Sequence, residues 1–113
     1  RPGMIVEVNM GVGAGDIIII LPEAPTWVYG KYTFIFNGVP NAGASFELRT
    51  PNRMDGLTIA TDGNEVITNA AKIAFANGTT VIGTKIEVIA SNSSGIVMAY
   101  VTAVTVKGNV TPS

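Results

Sequence analysis

Lys85-Ile86-Glu87-Val88-Ile89-Ala90-Ser91-Asn92-Ser93-Ser94-Gly95-Ile96-Val97-Met98-Ala99-Tyr100-Val101 decides the fold class of this chain. Ile86, Val88 and Ala90 recur every second residue, which is the repeat of a strand with one buried face. Asn92 to Gly95 is a polar four-residue turn, and the apolar run Ile96 to Lys107 reads as the longest strand. The pattern predicts a β-hairpin. The same reading extends in both directions. Tyr32, Phe34 and Phe36 alternate with Lys31, Thr33 and Ile35 within a predicted strand over 27–36, and Phe46 and Leu48 alternate with Ser45, Glu47 and Arg49. Residues 4–10 predict a first strand with Val6 and Val8 inward and Ile5 and Glu7 outward. Residues 16–21, with Ile17-Ile18-Ile19-Ile20-Leu21 at their heart, predict a strand apolar on both faces, central in a sandwich or covered by a partner.

Turn chemistry separates these runs. Asn37-Gly38, Pro40 to Gly43 and Thr50 to Gly56 read as turns or loops, and Asp62-Gly63 as a hairpin turn between Leu57–Ala60 and Glu65–Thr68. Asn69 to Ala76 is two-valued: it has helical propensity and a capping Asn, yet the Ile73/Phe75 alternation favours a strand. Thr79 to Ile82 predicts a further short strand. Eight to ten short strands at intervals of about 8 to 12 residues predict an all-β fold, an antiparallel sandwich or jelly roll. One domain spans residues 1–113, with a core over 4–107 and a tail over 108–113.

Composition restricts the chemistry. The chain has no histidine and no cysteine, so the usual neutral-pH acid/base, the commonest metal ligand and the thiolate nucleophile are all missing. Gly11 to Gly15 is glycine-rich, but an extended run follows it where a phosphate site needs a helix N-terminus. Asp62 to Glu65 is too short for a calcium loop. Glu7, Glu47, Glu65 and Glu87 fall on outward strand phases or in turns, and do not make a converging carboxylate pair. No serine has a lysine three residues on. No enzyme, cofactor or metal is therefore expected. Asn77, Asn92 and Asn109 match the glycosylation acceptor pattern, which arises often by chance in such loops.

The seven basic residues are scattered and the net charge is −1, so no nucleic-acid partner is expected. No apolar run is long enough to span a membrane as a helix. Charged residues are 13% of the chain and apolar residues 47%, with mean hydropathy +0.39. Against roughly 25% charge in average domains, this predicts a substantial protein–protein interface. With the two-sided apolar runs Ile17–Leu21 and Ile96–Val106, it predicts a homo-oligomer, most simply a trimer. Trp27 and Tyr29, after Pro25, fall on the phase opposite Tyr32; an edge-of-core or interface role is favoured over a sugar platform, and both residues are candidate contacts.

Two segments resemble a known family. Asp16 to Pro22 through Gly30-Lys31-Tyr32-Thr33-Phe34 is similar to the opening of small β-modules from tailed-bacteriophage virions. Ile82-Gly83-Thr84-Lys85 through Val101 is similar to their closing hairpin, with Val97 to Tyr100 standing where those modules often carry a tryptophan. The resemblance implies a structural protein: a trimeric capsid decoration, or cement, subunit bridging neighbouring capsomers, with itself and the major capsid protein as partners. It implies location on the capsid surface, after assembly in the host cytoplasm. Ile17, Ile19, Trp27 and Tyr29, with the end residues Arg1 and Pro2, are then the expected contacts. A receptor- or glycan-binding fibre domain and a carbohydrate-binding accessory module are the alternatives.

Overall fold

In the computed structural model the chain is all-β. The structure describes residues 3, 5–8, 15–23, 27, 29–37, 44–60, 63–75, 82–91, 96–104 and 110–113. Eight strands follow in order: β1 (Ile5–Val8), β2 (Ile17–Ile20), β3 (Lys31–Phe36), β4 (Phe46–Ala60), β5 (Gly63–Phe75), β6 (Lys85–Ala90), β7 (Ile96–Val104) and β8 (Val110–Pro112). They lie side by side as β1-β3-β6-β7-β4-β5-β8, and β2 pairs β4 off that path.

The pairing is mixed, not antiparallel throughout as the sequence reading had it. The hairpins β4/β5 and β6/β7 are antiparallel, as are β3/β6 and β5/β8. β1/β3, β2/β4 and β4/β7 are parallel. Tight turns force antiparallel neighbours, whereas each parallel pair is joined by a connection long enough to cross over. These parallel pairs do not fit a jelly roll. The sandwich is the alternative that fits.

The two layers share a hairpin. Along one edge of β4, β2 pairs Phe46–Arg49 and β7 pairs Arg53–Ala60, while β5 runs along the other edge. β4 and β5 therefore pass from a small layer (β2, β4, β5, β8) into a large one (β1, β3, β6, β7, β4, β5). Register shifts between Arg49 and Met54 and between Met54 and Gly56 mark the bend. Thr50 to Gly56, expected as a loop, is this bulge inside a continuous strand. Pro51 lacks an N–H at the point where the ladder is interrupted, as proline in a sheet requires. Asn69 crosses the bend at φ 52°. Its N–H donates to Asp55 Oδ1 at 2.9 Å, and its Oδ1 accepts from Arg53 Nη1 at 3.2 Å.

Aromatic packing shows that the layers face each other. Phe36 on β3 is three strands from β4 along the sheet path, which would be roughly 14 Å in a flat sheet. Its ring lies 4.9 Å from Phe46 and 5.1 Å from Phe75, edge to face with both. Around this trio the alternating residues Tyr32, Phe34, Leu48, Ile73, Ile86, Val88, Val97, Ala99 and Val101 are all buried. The inward phases expected for β1, β3 and β6 are the observed ones.

Several boundaries differ from expectation. β3 begins at Lys31 and not at Trp27, because Tyr29 turns to φ 63° and its N–H donates to Ala90 O. Ile82 lies in a turn, and the longest strand is β4, with 15 residues against nine in β7. Residues 110–112 are not tail but β8. Val110 is buried against the core, and the backbones of Ser113 and Lys72 exchange hydrogen bonds. Asn69 to Phe75 is strand, the favoured reading. The expected turns at 38, 40–43, 61–62 and 92–95, the Gly11–Ala14 segment, the strand residues 79–81 and 105–107, and Asn77, Asn92 and Asn109 lie outside the described residues.

One buried polar atom stands out. Thr58 on β4 is fully buried and its Oγ1 has no hydrogen-bond partner among the described residues. An orphaned buried hydroxyl costs about 1 kcal/mol or more, and valine has nearly the same shape. Thr58→Val is expected to raise the melting temperature by about 4 °C or more, read by calorimetry. An unchanged or lower value would mean that the hydroxyl is satisfied in solution.

Candidate interaction surfaces

The residues expected to make contacts divide into two sets. Trp27 is buried: its Nε1 donates to Pro22 O at 3.0 Å, and its ring meets Tyr32 edge-on at 4.9 Å. Trp27 therefore takes the edge-of-core role, because the indole N–H finds its partner inside the fold, and Tyr29 stands out, 79% exposed. Ile17 and Ile19 are half-buried and pack against the core. The outward residues of β2 are Ile18 and Ile20, 52% and 68% exposed. Arg1 and Pro2 lie outside the described residues.

The large layer carries a surface that no single segment predicts. Register aligns Ile5, Thr33, Glu87, Tyr100, Leu57 and Val66 in one row across β1, β3, β6, β7, β4 and β5. Ile5 and Val66 at the two ends are 68% and 66% exposed. Ile35, Ile89 and Met98 flank the row, half-buried. The two-sided apolar pattern of β7 signalled part of it, through Met98 and Tyr100 on its outward side. Which outward residues become neighbours depends on strand order.

The single carboxylate in that row is paired within the face by two lysines. Glu87 takes Lys85 Nζ at 3.1 Å and Lys31 Nζ at 3.2 Å. The hydrogen bonds from Lys85 and then Lys31 hold its carboxyl below the ordinary carboxylate value. The small layer repeats the device. Arg49 hydrogen-bonds Glu47 and Lys72 Nζ lies 3.5 Å away, so the Glu47 carboxyl is also lowered, chiefly by the Arg49 hydrogen bond.

A lowered carboxylate pKa stabilises the fold above the unfolded value and loses that contribution as pH falls through the folded one. The melting temperature is therefore expected to be level above pH 5 and to fall below about pH 4.5, the ordinary value for these groups. Solvent screening limits the drop from these pairs to a few degrees. Glu87→Gln should flatten part of it. If the acid limb is identical in the variant, the Glu87 pairs contribute nothing.

Catalytic geometry does not assemble from the remaining acids. Glu7, Glu47 and Glu87 face outward on separate strands, and Asn37 Nδ2 donates to Glu7 at 3.0 Å. Glu65, expected on an outward phase or in the turn, stands opposite Thr58 on the inner side of β5, half-buried at the hairpin end. Among the described residues there is no group of three metal-ligating side chains, no pocket, and no helix long and apolar enough to cross a membrane. What the arrangement offers is surface. No family model, curated protein or solved structure matches this chain.

Proposed function

We propose that this chain is a structural module of a virion, a capsid decoration subunit that stabilises the head by bridging neighbouring capsomers. The observation that carries the reading is the row from Ile5 to Val66, apolar at both ends and at Leu57, whose one carboxylate is paired in place by Lys31 and Lys85. Six strands at ~4.8 Å spacing, about six residues long, give a face of roughly 570 Å². Counted on both partners that is about 1,100 Å², above the ~1,000 Å² of a specific interface. Its apolar burial stabilises by roughly 25 cal/mol per Å² before the costs of association. The partners are the major capsid protein and other copies of the chain, and no bond is made or broken.

The test uses heads stripped of the protein. Added back, it should bind at salt well above physiological strength, because apolar contact is not screened, and should raise the temperature at which heads rupture. Exchanging both ends of the row, Ile5→Lys with Val66→Lys, should abolish binding while the free protein melts as before. If the protein does not bind heads, the decoration reading fails.

Tyr29 favours a second reading, a receptor-binding fibre domain. A non-glycine residue at φ 63° carries backbone strain, and such strain gathers at ligand contacts. Cell or glycan binding lost in Tyr29→Ala, with no binding to heads, would establish it.

A further inference from the structure

Edge strands expose unpaired backbone groups, and proteins guard them with charge, proline or inward-pointing polar groups. Three of the edges here are guarded: β1 carries Glu7, β8 carries Pro112, and the edge half of β5 carries the inward Glu65. β2 is not guarded. Its sequence is Ile17-Ile18-Ile19-Ile20, and among the described residues it pairs only β4. Ile17 N–H donates to Ser45 O and Leu21 N–H to Arg49 O. In such a parallel ladder the odd residues address β4, so the N–H and C=O of Ile18 and Ile20 point to the open edge.

We infer that this edge pairs, antiparallel, with the same edge of a second copy, about a two-fold axis at Ile19. The register follows from which groups are free. Within β2 only Ile18 and Ile20 offer backbone partners, so a pairing centred on the strand makes Ile18 of each copy meet Ile20 of the other in hydrogen-bonded pairs. Ile19 then meets Ile19 in a non-hydrogen-bonded pair on the axis. The neighbouring charges agree with this register. Ile18 lies beside Glu47 and Ile20 beside Arg49, so each row across the axis runs from an acidic side to a basic one, and like charges never face. A partner of another kind would have no need to match this order. The result is one sheet through both small layers, with Ile18 and Ile20 of each copy covered.

This contact needs only that copies associate, and stands apart from whether they coat a capsid. A two-fold contact gives even-numbered assemblies, where the resemblance to trimeric modules implies three. Because the chain has no cysteine, single cysteines report the register cleanly. Ile19→Cys places the two Cα atoms about 4.5 Å apart, inside the range a disulfide spans. Ile17→Cys places its pair roughly 14 Å apart, outside it. Under mild oxidation the first should form a covalent dimer and the second should not. Ile20→Lys, on an exposed position, should leave the melting curve of dilute protein unchanged and shift dimerisation in sedimentation to at least about tenfold higher concentration. A three-fold mass with no Ile19→Cys cross-link, or equal cross-linking at both positions, overturns the two-fold contact. An Ile19→Cys cross-link in a protein that, unsubstituted, does not bind heads overturns the decoration reading alone.

Discussion

Gly56→Ala is expected to be the most damaging small substitution in this chain. A Cβ at Gly56 would lie 1.7 Å from the Ala99 carbonyl oxygen and 2.7 Å from its carbon, where ordinary contact begins at 3.4 Å. The obstacle is backbone of the paired strand β7, so no rotamer relieves it. β4 and β7 must part by more than an ångström at the residue where the two-layer hairpin joins the rest of the large sheet. Overpacking of a well-filled core costs about 1 to 3 kcal/mol, and more when a backbone has to move. A loss of roughly 12 °C or more in melting temperature is expected, or failure to accumulate folded protein. Gly15→Ala is the control, since nothing lies within 4 Å of its added Cβ. Similar melting of the two variants would show that β4 and β7 do not pack as closely as described.

Phe36→Ala should be nearly as severe, for a different reason. Phe36 is the last residue of β3, almost fully buried, and meets Phe46 and Phe75 edge to face. It is where the large layer touches the small one. Removing a buried phenylalanine costs about 3 to 5 kcal/mol through lost transfer energy and the cavity left behind, a large part of the 5 to 15 kcal/mol that holds a domain together. The midpoint of denaturant unfolding should fall while its slope stays the same. Phe36→Leu should recover part of the loss. Because all three rings touch, Phe36→Ala combined with Phe75→Ala should cost less than the sum of the two single changes. Strict additivity would mean that the trio is not one packed unit.

The all-β class was legible because strand alternation is a local property. Ile86, Val88 and Ala90, or Tyr32, Phe34 and Phe36, reveal their buried side with no knowledge of what covers them. Thr50 to Gly56 was misread for an equally local reason. Proline, asparagine, aspartate and glycine signal a loop, and the same residues suit a bulge where a strand bends between layers. Val110 was taken for tail because three residues carry no measurable period. The phase of Trp27 was counted back along an unbroken strand, and Tyr29 breaks that strand with one positive φ.

By itself, the sequence determined the β class, the inward phases of β1, β3 and β6, and an excess of aliphatic residues over what one small core consumes. Only the tertiary structure decided the parallel pairs, the bend in β4, the row from Ile5 to Val66 and the edge of β2 that no other described strand covers. Each of these depends on which strands become neighbours. That choice is set by contacts such as Phe36 with Phe46 and Phe75, between residues far apart in the chain, and residue spacing within a segment records only the side a strand buries.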